Sequence, residues 1–315
     1  MKVRNLLACM CWLCCWNAHT PADAGDKTDL GDKAPLVAVE SPQGVTILEG
    51  IRPVLTYQRA TVSQGGKWPR ANYVHPLYDL DGEVISQDFP ADHGHHRGIF
   101  WAWHQVLVGD QLLGDAWACL DFQWDVQELN VSTTADQAQL VATTLWKSPG
   151  LLGADGQPLP CVREQTTIVV HSSEENVRWI DFDIQLWALL DQVRIGGSDD
   201  AKGYGGFSPR IKLSDDLLFR GSGGPIEPQV EAVAAGAWVD ISNDHGGVLI
   251  MTHSQNPGFP QPWILRRSSS MQNAVFPGRQ PIELSRTEPL RLRYRLGIHR
   301  GELPSEKIEA VQERY

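Results

Sequence analysis

The chain has 315 residues, 42% hydrophobic and 21% charged, with 12 tryptophans; this is enough apolar material for a large core and excludes a disordered or collagen-like chain. Its formal charge of −11 argues against nucleic acid as a partner, because phosphate neutralisation needs a basic face and the arginines are scattered. No apolar run approaches the ~20 residues of a membrane-spanning helix, so stable membrane insertion is not expected.

Lys2 and Arg4 precede an apolar stretch from Leu6 to Trp16, and Ala22-Asp23-Ala24 fits the small-x-small pattern of a signal-peptidase site. Residues 1–24 therefore read as a cleaved signal peptide, which places the protein in the periplasm or outside the cell. Cys9, Cys11, Cys14 and Cys15 would be a liability in an exported domain, which favours their removal. Leu6-Leu7-Ala8-Cys9 has the outline of a lipoprotein box but almost no hydrophobic stretch ahead of the cysteine, so a lipid anchor is disfavoured. Processing would leave 25 basic and 37 acidic side chains, a net of −12, and only Cys119 and Cys161. Those two form neither a disulfide framework nor a zinc knuckle; they read as core thiols or one optional bridge.

Residues 25–44 are polar and aperiodic and read as a flexible lead-in to a domain spanning 45–301. Short segments then alternate with turns: 45–49, 53–57, 123–129, 140–146, 166–171, 177–187, 238–241, 247–251 and 290–299. Period two dominates. Leu290, Leu292, Tyr294, Leu296 and Ile298 share one face and Arg291, Arg293 and Arg295 the other, and 180–186 repeats the pattern. With 29 Gly and 20 Pro as punctuation, the fold class is all-β, a large antiparallel β-sandwich with long functional loops. No 20–50-residue repeat suggests a propeller. The tail, 302–315, carries a short helix near 305–314.

Three imidazoles fall in one stretch, Asp92-His93-Gly94-His95-His96-Arg97-Gly98. On an extended backbone His93 and His95 project to one face, at a spacing suited to sharing a divalent metal, while His96 points away. Asp92 is a further ligand or an orienting carboxylate; Asp88 is as well explained by turn capping. Upstream, Tyr73-Val74-His75-Pro76 precedes a turn at Asp79-Leu80-Asp81-Gly82, so a hairpin would connect His75 to the cluster. Lys202-Gly203-Tyr204-Gly205-Gly206-Phe207, then Arg210, offers close backbone approach and fixed positive charge for a carboxylate, sulfate or enolate. No helix follows that loop, so no nucleotide is expected. His253-Ser254-Gln255-Asn256-Pro257, Pro262-Trp263 and Arg266-Arg267 supply the aromatic plane and polar partners that a sugar ring asks for, though a Trp packed under a rigid loop explains Trp263 equally well.

The order of these motifs resembles the bacterial PmoA-like proteins. Tyr73-x-His75-Pro76 and Asp88-x-Pro90-x-Asp92-His93-x-His95-His96-Arg97-Gly98 carry the resemblance. Lys202-Gly203 with Phe207 and Arg210, Trp238-Val239-Asp240, Asn256-Pro257 with Pro262-Trp263, and Arg293-Tyr294-Arg295 continue it. It spans residues 45 to 301 and implies an exported β-sandwich of the galactose-mutarotase or glycoside-lyase kind, from bacteria that degrade polysaccharides. The methane-oxygenase label does not suit this chain, which lacks the several spans of that membrane subunit. Gly94 stands where the family usually has Pro.

These features favour a carbohydrate-active enzyme that cleaves glycosides, including ones oxidised to 3-keto sugars, by metal-assisted elimination or by hydrolysis. A ketone at C3 acidifies the C2 proton, so elimination needs a base, an acid and a cation at the enolate. The expected metal site is His93, His95 and Asp92; the expected catalytic groups are His75, His96, Arg97, Lys202, Arg210 and His253. Tyr73, Trp103, Phe207, Asn256, Trp263 and Arg267 are the expected sugar contacts. Hydrolysis would need two carboxylates, for which Asp88, Asp92, Asp240 and Asp244 are available. A non-catalytic glycan-binding sandwich is the alternative. A metal-dependent oxygenase is weaker, because Arg97-Gly98-Ile99-Phe100 stands where a cupin-type motif needs Glu.

Overall fold

The computed structural model describes residues 34–268 and 271–315. The signal-peptide reading, the lipoprotein-box alternative and the four N-terminal cysteines lie outside the described residues. Two antiparallel sheets dominate. A nine-stranded sheet runs, in spatial order, Gln123–Thr133, Gln137–Lys147, Val162–His171, Val177–Ala188, Leu290–Arg300, Gly246–Thr252, Trp238–Asn243, Leu218–Gly221 and Gly224–Pro225. A six-stranded sheet runs Leu36–Glu40, Gly44–Glu49, Arg52–Gln58, Tyr73–Leu77, Ile99–Trp103 and Gly205–Pro209. A smaller four-stranded sheet includes Gln105–Val108 and Val193–Gly196.

The period-two pattern sets which faces meet. Along Val177–Ala188, Ile180, Phe182, Ile184 and Leu186 are buried while Asp181, Asp183 and Gln185 are half-exposed. The neighbouring strand Leu290–Arg300 buries Leu292, Tyr294 and Leu296 in register with them. On the outer face Arg295 pairs with Asp181 at 2.5 Å and Arg291 with Asp183 at 2.5 Å. Phe207 and Trp101, from the six-stranded sheet, close the sandwich: Phe207 stacks on Tyr294 with centroids 4.5 Å apart, and Trp101 meets Phe182 at 6.1 Å. Burial of such large aromatic faces is the main source of stability in a chain of this size.

A carboxylate stands on the inward face. Glu164 is fully buried between the sheets and accepts hydrogen bonds from Asn72 Nδ2, Trp101 Nε1, Trp146 Nε1 and Thr166 Oγ1 at 2.5 to 2.8 Å. The alternation of its strand puts Glu164 on the inward face with Val162, Ile168 and Val170.

Two boundaries differ from the sequence reading. Leu36–Glu40, inside the segment read as a flexible lead-in, pairs with Gly44–Glu49 through a Ser41–Gly44 turn, its Leu36 buried and its Val37 and Val39 exposed as befits an edge strand. The tail helix Ser305–Arg314 forms as expected but belongs to the domain, because Ile308 and Val311 pack with Trp238, Leu249 and Met251. Cys119 and Cys161 are both free and buried, so they are core thiols.

Candidate functional site

The histidine cluster sits in a loop between the strands Tyr73–Leu77 and Ile99–Trp103 of the six-stranded sheet. The loop is a run of tight turns rather than extended backbone: the His93 amide donates to Pro90 O at 3.1 Å and the His96 amide to His93 O at 2.9 Å. Two glycines make the path available. At Gly98 (φ +56°) a Cβ would lie 2.1 Å from Val74 O, and at Gly94 it would lie 2.3 Å from the Trp68 ring. The indole therefore occupies the space that a side chain at position 94 would need.

This turn geometry corrects the expectation that His96 points away. His93 and His96 stack at 4.8 Å with planes 5° apart, and His95 meets them edge-on at 5.7 and 4.6 Å. All three line one cleft of about 300 Å³, together with His104, Trp117, Ser198, Asp200, Lys202, Tyr204, Arg266 and Met271. A larger cleft of about 540 Å³, lined by Leu218, Arg220, Asp244 and Arg267 among others, contains no imidazole.

Hydrogen-bond chemistry fixes the tautomers. Arg210 Nη1 lies 3.0 Å from His96 Nδ1; a guanidinium can only donate, so Nδ1 accepts and neutral His96 carries its proton on Nε2. His93 Nδ1 faces Asp92 Oδ2 at 2.8 Å and His104 Nδ1 faces Asp115 Oδ2 at 2.8 Å. A carboxylate accepts, so both rings donate from Nδ1, which in the neutral form of either ring leaves the lone pair on Nε2. The His104 pair is the better protected, with side chains 23% and 29% exposed against 45% and 36% for His93 and Asp92. Trp117 stacks on His104 at 5.2 Å and meets Tyr204 at 5.6 Å, which gives the cleft an aromatic wall.

Burial, reinforced by the neighbouring His93, Arg70 and His104, lowers the His95 pKa to about 4. Burial lowers that of His96 to about 2, helped by His95 and Arg210. Both are neutral near pH 7, and a neutral imidazole is at once a base at one nitrogen and an acid at the other.

The expected metal ligands do not form a ready three-ligand set. Asp92 is engaged by Arg210 Nη2 at 2.8 Å as well as by His93. His93 and His95, the two expected imidazole ligands, meet edge-on with ring centroids 5.7 Å apart. Among the described residues no group of three His, Cys, Asp or Glu side chains is spaced to hold a metal.

Several expected site residues are structural. Arg97 is fully buried and donates to Asp88, Tyr73 Oη, Val62 O and Trp68 O while its guanidinium lies 3.6 Å from the Phe89 ring centroid. It ties the loop to the sheet, and Tyr73 and Asp88 are its partners. His75 is outside the cleft, with Nδ1 2.8 Å from Ser86 Oγ, and burial lowers its pKa. His253 is buried against Tyr315 at 4.9 Å, and burial lowers its pKa too. Asn256 serves the backbone, exchanging two hydrogen bonds with Arg293. Trp103, Trp263 and Phe207 are fully buried; the two indoles donate to Phe276 O and Gly236 O. Buried aromatics cannot stack on a sugar. Arg267 donates to Leu217 O and lines the other cleft; its neighbour Arg266 lines the cleft of the imidazoles. Asp240 is locked by His299, Arg220 and Ser242.

The structure thus brings together His93, His95, His96 and Lys202, with Asp92 and Arg210 behind them. Sequence reasoning missed His104, Asp115 and Trp117, and it quoted Tyr204 and Arg266 in their loops while assigning the roles to Lys202 and Arg267. His104 ends the Trp101-Ala102-Trp103-His104 segment eleven residues before Asp115, a spacing that is informative only once the intervening hairpin is known.

The family's sequence profile matches residues 44–313. The chain belongs to DUF6807, a family of unknown function. No curated protein matches this DUF6807 chain. Among solved structures it is similar to the mutarotase candidate YeaD of Salmonella typhimurium, at TM-score 0.40 and 9% identity over 84% of this chain and 94% of that one. It is also similar to the galactose mutarotase related enzyme of Lactobacillus acidophilus, at TM-score 0.40 and 7% identity over 85% of this chain and 100% of that one. Among the described residues no helix is long and apolar enough to cross a membrane.

Proposed function

We propose that the protein is an exported carbohydrate-active enzyme that cleaves glycosidic bonds by acid–base elimination, on sugars in which a carbonyl or carboxyl group acidifies a neighbouring C–H. The observation that carries this reading is the meeting of oriented, neutral imidazoles and an aromatic wall in one cleft. Asp115 holds His104 with its Nε2 lone pair available as a base, and Arg210 holds His96 with Nε2–H available as an acid or as a donor to a developing oxyanion. Trp117 and Tyr204 offer apolar faces to a sugar ring.

Two-carboxylate hydrolysis is less well supported. Asp92 and Asp115 are hydrogen-bonded to imidazoles, Asp200 caps its own loop, Asp88 and Asp240 are spent on arginines, and Asp244 lines the other cleft. A purely glycan-binding role leaves the oriented imidazoles without a task. No step here is routed through a metal.

The test is a screen of 3-keto-glycosides and uronides for released alcohol and an unsaturated product, run with and without a chelator. On the substrate found, His104→Gln is expected to lower kcat by about 10²-fold or more with KM little changed, and the chelator to leave turnover intact. Full activity of His104→Gln and His96→Gln, or no response to any glycan, would overturn the proposal.

A further inference from the structure

The cleft carries more fixed positive charge than an uncharged sugar requires, in a chain whose net charge is −11. Lys202 Nζ lies 5.7 Å from the Tyr204 ring centroid and makes no ion pair among the described residues. Arg266 flanks the same ring at 5.8 Å and, among the described residues, gives its side-chain donors to neutral oxygens: Tyr204 Oη, Gln229 O, Leu265 O and Val230 O. Its charge is therefore held in place but not cancelled. The nearby Asp200 turns Oδ1 to Ser198 Oγ and to the amides of Lys202 and Gly203. Asp200 is the one carboxylate among the residues lining the cleft, while Asp115 stands behind His104 and Asp92, behind His93, is paired with Arg210.

We infer that the sugar bound here is a uronic acid, its carboxylate held by Lys202 in the field of Arg266. This rests on the elimination reading and names its substrate class. A carboxyl group acidifies the adjacent C5–H only when its own charge is neutralised, because proton loss places a second negative charge on the carboxyl oxygens. His104 lies 6.5 Å from the Tyr204 ring that both cations flank, so base and cations share one wall. His104 Nε2 takes the C5 proton and the C–H electron pair forms the C4=C5 double bond. The C4–O4 bond breaks with its pair on oxygen, and that oxygen takes the proton of His96 Nε2–H. One uronoside gives one 4,5-unsaturated uronate and one alcohol, with no water or oxidant consumed.

The test uses the purified protein. Calorimetric titration compares glucuronate and galacturonate with glucose and galactose, and ultraviolet absorbance follows 1,4-linked oligouronides, neutral 1,4-linked oligosaccharides and 3-keto-glucosides. The uronates should bind at least tenfold tighter than the neutral sugars and weaken with added salt. Lys202→Gln should raise their Kd about tenfold without altering neutral-sugar binding, and Lys202→Arg should restore part of the loss. Equal affinity for neutral sugars, or unchanged uronate affinity in Lys202→Gln, overturns the inference. Turnover of 3-keto-glucosides without response to uronides overturns the uronate assignment and leaves the elimination reading standing. Silence towards every glycan overturns both.

Discussion

Glu164 shows how much a single side chain can organise. Burial raises its pKa while hydrogen bonds from Asn72, Thr166, Trp101 and Trp146 oppose that rise. The Trp146 indole donates to Oε2 and the other three groups to Oε1. Glu164→Gln replaces one acceptor oxygen by an NH₂ that must face an N–H or O–H donor, leaving buried donors unpaired. We expect a loss of about 1–3 kcal/mol in urea unfolding, with the cleft chemistry little affected because Glu164 does not line it. His104 and Lys202 should show the reverse, losing turnover or affinity at nearly constant stability.

At the scale of the element, the loop from Asp88 to Gly98 is held from both sides. Arg97 anchors it to Val62, Trp68 and Tyr73, and Arg210 anchors it through Asp92, His96 and Gln87. These arginines keep three imidazoles within 6 Å of one another against their own entropy. Gly98→Ala puts a Cβ against backbone in a left-handed conformation and should cost about 1–3 kcal/mol in thermal unfolding. Gly94→Ala meets a side chain instead. It should reduce activity more than stability, and the added Trp68→Ala should recover part of that activity in a double-mutant cycle.

For the molecule as a whole, the buried imidazoles set an acid limit. The folded pKa values of His95 and His96, about 4 and about 2, lie below the unfolded value near 6.5. Between those values the unfolded chain binds more protons, so stability falls as pH drops from about 6.5 towards 4, and further for His96. Urea midpoints measured at pH 7 and pH 4.5 should therefore differ, and His95→Gln should shrink the difference. An unchanged difference would place the acid sensitivity elsewhere.

The all-β fold class was legible because alternation along 180–186 and 290–298 leaves one face that must be buried, and two such faces make a sandwich. The His93–His96 cluster was legible because three imidazoles in four residues need no tertiary information to be neighbours. Which way those rings turn was not legible: an extended backbone would have split them, and the turns at Pro90 and His93 bring them together. The other residues lining the cleft were hidden for the same kind of reason. His104 meets Asp115 and Trp117 across a local hairpin, whereas Tyr204 and Arg266 come from distant segments and join them only through strand pairing and loop closure. Trp103, Trp263 and Phe207 look like sugar platforms in sequence because composition cannot distinguish an aromatic face turned to solvent from one turned to the core. Local repetition dictates periodicity and clustering, whereas burial, tautomer and charge balance depend on neighbours that only the folded chain supplies.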